Sequence, residues 1–109
     1  MGLARKRERG LCRLEANGTT QAEAVIYRWR DEAAAAAALS YFVESRATSL
    51  DLTDVAAPSV GDEARAIMGA VDGGTEATVY WRSGAYLVRY TAIGSGDPMA
   101  DVAVLLGVP

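Results

Sequence analysis

Four arginines, Arg28, Arg30, Arg82 and Arg89, stand in stretches patterned like β-strands, with Tyr80 and Leu87 among them. A guanidinium is planar, permanently charged and carries five N–H donors. Several of them beside an aromatic ring can hold a carboxylate or phosphate, or stack on a nucleobase. Tyrosine and arginine are also enriched where two protein surfaces meet. The adjacent carboxylates Asp62 and Glu63 form the second candidate. Such a pair can bind a cation or act as general acid and base. The plainer explanation is a solvated loop, or ion pairing of Glu63 and Glu76 with the arginines at ~0–1 kcal/mol each.

Other chemistry lacks its residues. The chain has no histidine and one cysteine, Cys12. Cysteine–histidine metal sites and an intrachain disulfide are thereby excluded. No base stands ready to activate Cys12 or a serine, so no catalytic residue is assigned. Cys12 reads as a small core residue. The glycines form no phosphate loop, and Gly94-Ser95-Gly96 reads as a strand-to-helix connection. No metal or cofactor is expected.

These residues need elements to position them. The organising stretch is 76–93, two alternating runs flanking Ser83-Gly84. Gly84 supplies the positive φ of a tight turn. With Ser83 and Gly84 as the turn residues, Trp81 faces Tyr86 and Tyr80 faces Leu87. Alternation then divides the hairpin. Ala77, Val79, Trp81, Tyr86, Val88 and Tyr90 form an apolar core face. Glu76, Thr78, Tyr80, Arg82, Leu87, Arg89 and Thr91 form a mixed one.

Asn17-Gly18 marks a second hairpin between 11–16 and 19–30. Its turn pairs Cys12 and Leu14 with the face of Val25, Tyr27 and Trp29. Ala24, Ile26, Arg28 and Arg30 lie opposite. Residues 1–10, rich in Arg and Lys, read as a flexible basic tail, and 11–109 as a single domain. Asp31 caps a helix over 31–46, rich in alanine, with Ala35, Leu39, Phe42 and Val43 on its inner stripe. Thr48 to Val55 alternates like a short strand. Residues 60–71 fit either a helix or a strand; the bracketing glycines Gly61 and Gly69 favour a strand. Asp97-Pro98 opens a last helix with Met99, Val102, Ala103 and Leu106 inside.

The resulting fold class is α+β: a twisted antiparallel sheet of order ββαββββα, with two helices packed on one face. That arrangement leaves the arginine face open. At Val60-Gly61-Asp62-Glu63-Ala64, Val79–Arg82, Tyr86–Tyr90 and Gly96-Asp97-Pro98, the chain resembles small α+β domains of bacterial lipoproteins and extracytoplasmic sensor proteins. The resemblance covers roughly residues 20 to 107. It implies a strand over 62–69 and a role in binding a ligand or partner, and carries no catalytic residues across.

Composition is that of an ordinary soluble domain: 109 residues, 50% apolar, 23% charged, net charge −3. The acidic balance gives no general reason to expect nucleic acid. No apolar run has the length to span a bilayer. The basic start lacks the apolar stretch of a complete signal peptide, so an export signal would lie upstream. The expected function is a non-enzymatic binding or interaction domain, homodimeric through the open arginine face or the last helix. An anionic small ligand or a protein is the partner. The alternative is a cystatin- or NTF2-like roll, ligand-binding or enzymatic, with Asp62, Glu63 and the sheet arginines in a pocket.

Overall fold

The computed structural model describes residues 6–12, 19–95, 98–99 and 102. Its elements are β1 (Lys6–Cys12), β2 (Thr19–Arg28), α1 (Glu32–Leu50), β3 (Thr53–Val55), β4 (Glu63–Val71), β5 (Gly74–Ser83) and β6 (Tyr86–Gly94). All six strands join one antiparallel sheet in the order β1-β2-β6-β5-β4-β3. The α+β class and the strand at 63–71 are present. The expected ββαββββα order with two helices is not matched over the described residues, which hold one long helix. Of the stretch expected to form the last helix, Pro98, Met99 and Val102 are described, and all three are helical.

The β5–β6 hairpin turns one residue later than expected, which moves each cross-strand partner by two. Ser83 pairs with Tyr86 and Trp81 with Val88, so Gly84 and Ala85 form the turn. Gly84 has φ +58 at the first turn position, which a type II′ turn requires. A slip of two residues keeps every side chain on its face, so the division into apolar and mixed faces stands.

The first hairpin differs by one residue, and there the face changes. Cys12 pairs with Ala22 and Leu11 with Glu23. Cys12 therefore shares the face of Ala22 and Ile26, not that of Val25 and Tyr27. Leu14 and the Asn17-Gly18 turn lie outside the described residues. Lys6 to Gly10, expected within the basic tail, fall in β1. The ten-residue β2 gives them a full template to pair along.

Helix α1 begins where Asp31 accepts a hydrogen bond from the Ala34 N–H at 2.9 Å, a cap worth about 1 kcal/mol. It runs one turn past the expected end, because Asp51 closes it in the left-handed region at φ 56. Leu50 is thus helical, and only Thr53 to Val55 remain as strand. Ala34, Ala35, Ala38, Leu39 and Val43 form the buried stripe. They pack on Trp29, Ile67, Tyr80 and Leu87. The alanines let the helix lie close to the sheet, over β4, β5 and β6.

That contact overturns the expected layering. Tyr80 and Leu87 belong to the mixed face, so α1 covers the side expected to be open. The apolar side, with Ala66, Ala77, Val79 and Ala92, packs against Met99 and Val102. The two helical segments lie on opposite faces, not on one. Each sheet face has enough apolar surface to need its own cover. No described helix is long and apolar enough to cross a membrane.

Candidate functional site

The cover of the mixed face is incomplete. A groove of about 490 Å³ remains beside the C-terminal half of α1, lined by Tyr27, Phe42, Ser45, Arg46, Ser49, Leu50, Tyr80 and Arg89. Helical spacing sets four of these: Phe42, Ser45, Arg46 and Ser49 lie within two turns on one flank. Arg46 falls three residues after Val43 and seven after Leu39, at the end of the buried stripe. Strands β2, β6 and β5 supply Tyr27, Arg89 and Tyr80.

The floor is a buried polar network. Arg46 donates through Nε and Nη2 to the two oxygens of Glu76, at 2.7 and 3.0 Å. Glu76 is 2% exposed. Thr78 Oγ1 donates to Glu76 Oε2 at 2.6 Å and contacts Thr91 Oγ1 at 2.9 Å. Arg89 donates to Thr91 Oγ1 and to Glu23 Oε1.

A hydroxyl has one hydrogen. Thr78 commits its hydrogen to Glu76, so Thr91 must donate to Thr78. Thr91 in turn accepts from Arg89. The bonds thus run in one sense, from Arg89 through Thr91 and Thr78 to Glu76. They join the Arg89–Glu23 pair to the Arg46–Glu76 pair. Such chains polarise one another, and full satisfaction makes burial of these groups tolerable.

The pKa shifts follow from that burial. Desolvation works to lower the Arg46 pKa, but the Glu76 carboxylate and Tyr80 outweigh it and hold the guanidinium above its usual value. Burial pushes the Tyr80 phenol up, against the opposing charges of Arg46 and Arg89. Tyr80 therefore stays a neutral hydroxyl at physiological pH. Phe42 lies 5.3 Å from Tyr27 and 6.4 Å from Tyr80, centroid to centroid. The groove thus pairs aromatic walls with guanidinium, phenol and serine donors.

Of the six residues expected on one open face, Tyr80 and Arg89 line this groove. Leu87 is fully buried under α1. Arg82 lies on the same face but at the far end of the sheet, bonded to Glu63 at 2.9 Å and to the Gly84 carbonyl at 3.1 Å. Arg28 pairs with Tyr86 and so stands on the opposite face. Arg30 lies beyond β2, 3.6 Å from Asp31. The six do not form one surface.

Asp62 and Glu63 are bound up with the β5–β6 turn. Asp62 accepts from the Gly84 N–H at 2.8 Å, while its own N–H donates to the Arg82 carbonyl at 2.6 Å. Glu63 holds Arg82 and raises that guanidinium's pKa. From the other side, the Trp29 N–H donates to the Ala85 carbonyl at 2.8 Å. The pair latches a turn and lies away from the groove.

Arg46, Ser45, Ser49 and Glu23 carry no mark of a site in the sequence, and Tyr27 and Phe42 read there only as packing residues. The signal for Arg46 was its place on the apolar stripe of the helix, where a cation needs a buried anion opposite. No protein-family model, curated protein or solved structure matches this chain.

Proposed function

We propose that the chain is a non-enzymatic binding domain whose site is the groove between α1 and strands β2, β6 and β5. Its ligand is a small molecule with an anionic head and a flat apolar body. One observation carries this reading: two guanidiniums, held in place from beneath by carboxylates, line a groove walled by Tyr27, Phe42 and Tyr80. Pre-positioned donors bind an anion without first being ordered. Each guanidinium has five N–H donors. Glu76 accepts from two of the donor groups of Arg46, while Glu23 and Thr91 accept from two of Arg89. A volume of this size suits a ligand of drug-like dimensions. The resemblance to extracytoplasmic sensor domains points to ligand binding too. Nothing in the groove favours catalysis: Glu76 already accepts from Arg46 and Thr78 and has no evident substrate-facing role.

Calorimetric titration with biphenyl-4-carboxylate tests the reading. We expect saturable one-to-one binding. Ser49→Trp fills the groove without touching either ion pair, and should weaken binding about tenfold or more while leaving the unfolding midpoint in place. Absence of binding to the unaltered protein, or full binding by Ser49→Trp, would rule the groove out.

Self-association is a second reading, supported by Tyr86 and Ile26, which are 48% and 37% exposed on the face away from α1. Arg28 lies beside them in register. A dimeric mass in light scattering that falls to monomer in Tyr86→Glu would support it; a monomeric mass at high concentration would end it.

A further inference from the structure

The two guanidiniums of the groove are not equally open. Arg46 keeps 26% of its side chain exposed, and Arg89 keeps 9%. Arg89 donates through Nη1 to Thr91 and through Nη2 to Glu23. Arg46 commits Nε and one Nη2 hydrogen to Glu76, and Tyr80 lies close enough to accept one more. A guanidinium has five N–H donors. Arg46 therefore keeps at least two for a ligand, one for each oxygen of a carboxylate.

Charge in the groove is already balanced. Arg46 and Arg89 stand against Glu76 and Glu23, and the remaining lining residues are aromatic, aliphatic or serine. The groove runs beside the C-terminal half of α1, where unsatisfied carbonyls carry partial negative charge. No basic residue stands in the last turn to offset it, and Asp51 follows as the cap. A single anionic charge can lie against Arg46. A second would face Glu76, Glu23 and the helix end, with no further cation among the described lining residues.

We propose that the groove selects a singly charged acid, a monocarboxylate, over a phosphate monoester. Arg46 makes the direct contact, and Arg89 acts through the network behind it. The inference rests on the groove being the binding site and names the acid it takes. Selectivity comes from Glu76 and Glu23, which hold the arginines in place and leave no surplus positive charge.

The test compares biphenyl-4-carboxylate with biphenyl-4-yl phosphate by calorimetric titration. The second proton of a phosphate ester leaves near pH ~6, whereas a carboxylic acid ionises well below that. From about pH 5.5 to about pH 7.5 the phosphate probe gains its second charge and the carboxylate probe keeps one. The groups around the acid are Glu23 and Tyr27 from β2, Arg46 from α1, Glu76 and Tyr80 from β5, and Arg89 from β6. The chain has no histidine. The affinity of the phosphate relative to the carboxylate should fall about tenfold over that interval. The ratio on one sample is insensitive to a general change in the protein. Glu76→Gln keeps an acceptor for Arg46 and removes the matching charge; there the fall should shrink to about threefold or less. Glu23→Gln makes the same comparison at the second pair, should Glu76→Gln not fold. A ratio that holds constant or rises in the unaltered protein overturns the proposal and leaves the groove reading standing. An undiminished fall in the variants also overturns it. If neither probe binds, the groove reading itself fails, and this proposal with it.

Discussion

Arg46 and Glu76 meet side-on beneath α1, with Nε and Nη2 of the guanidinium 2.7 and 3.0 Å from the two carboxylate oxygens. The pair ties the helix to β5 at the centre of the sheet. It is also the floor of the groove, so it links the stability of the fold to the shape of the site.

Removing one partner leaves a buried charge with no counterion. Arg46→Ala should therefore cost about 3 kcal/mol in urea unfolding. Replacing both, as Arg46→Met with Glu76→Leu, should recover most of that loss, since a hydrophobic pair of similar volume needs no compensation. Arg65 gives the contrast. It bridges Glu44 and Asp54, both largely exposed, and Arg65→Gln should change stability by less than about 1 kcal/mol. Equal costs at Arg46 and Arg65 would show that burial does not set the difference.

Tyr80 predicts an alkaline limb. Below the phenol's ordinary pKa of 10.0, both the folded and the unfolded chain carry the proton, and stability is unaffected. Above it the unfolded chain ionises first, because burial has raised the folded value. Stability then falls as pH climbs through the interval between the two. Tyr80→Phe should flatten this loss, measured as the urea midpoint between pH 9 and 11, taken as roughly the window around the ordinary value. An unchanged slope would assign the alkaline loss to other groups.

Gly61 has φ +65, and a Cβ there would fall 2.4 Å from the Arg82 carbonyl oxygen and 2.8 Å from the Trp81 ring. Backbone cannot yield as a flexible side chain does. Gly61→Ala should lower stability by about 2 kcal/mol or more, from strain in the left-handed region plus the clash. Gly84 shares the positive φ but has open space around it, so Gly84→Asn should be tolerated, asparagine being able to adopt that region. Thermal unfolding of the two variants separates conformational strain from close approach.

Leu39 is fully buried between α1 and the sheet. Leu39→Ala should cost about 2–5 kcal/mol. Because the same interface shapes the groove wall, affinity for an aromatic carboxylate should fall in parallel. Loss of stability with undiminished affinity would separate the groove from the core.

The local elements were legible in the chain alone. Asp31 and the alanine run announced α1, and the alternation in 76–93 divided its hairpin correctly although the turn lies one residue further on and each partner is displaced by two. A turn joins these strands, and an even slip leaves each side chain on its face. Register between strands that no turn connects was not legible. Whether Val25 or Ile26 shares a face with Arg89 depends on how β2 meets β6 across sixty residues of chain, and a shift of one residue reverses it. That long-range pairing sent Arg28 to the far side and brought Tyr27 to the groove. Nor did the pattern reveal which face α1 would cover. The mixed face was expected to stay open because both helices were assigned to the apolar face. Only packing brought Arg46 to Glu76 and linked Thr78 to Thr91, and those bonds are what allow a polar sheet face to be buried.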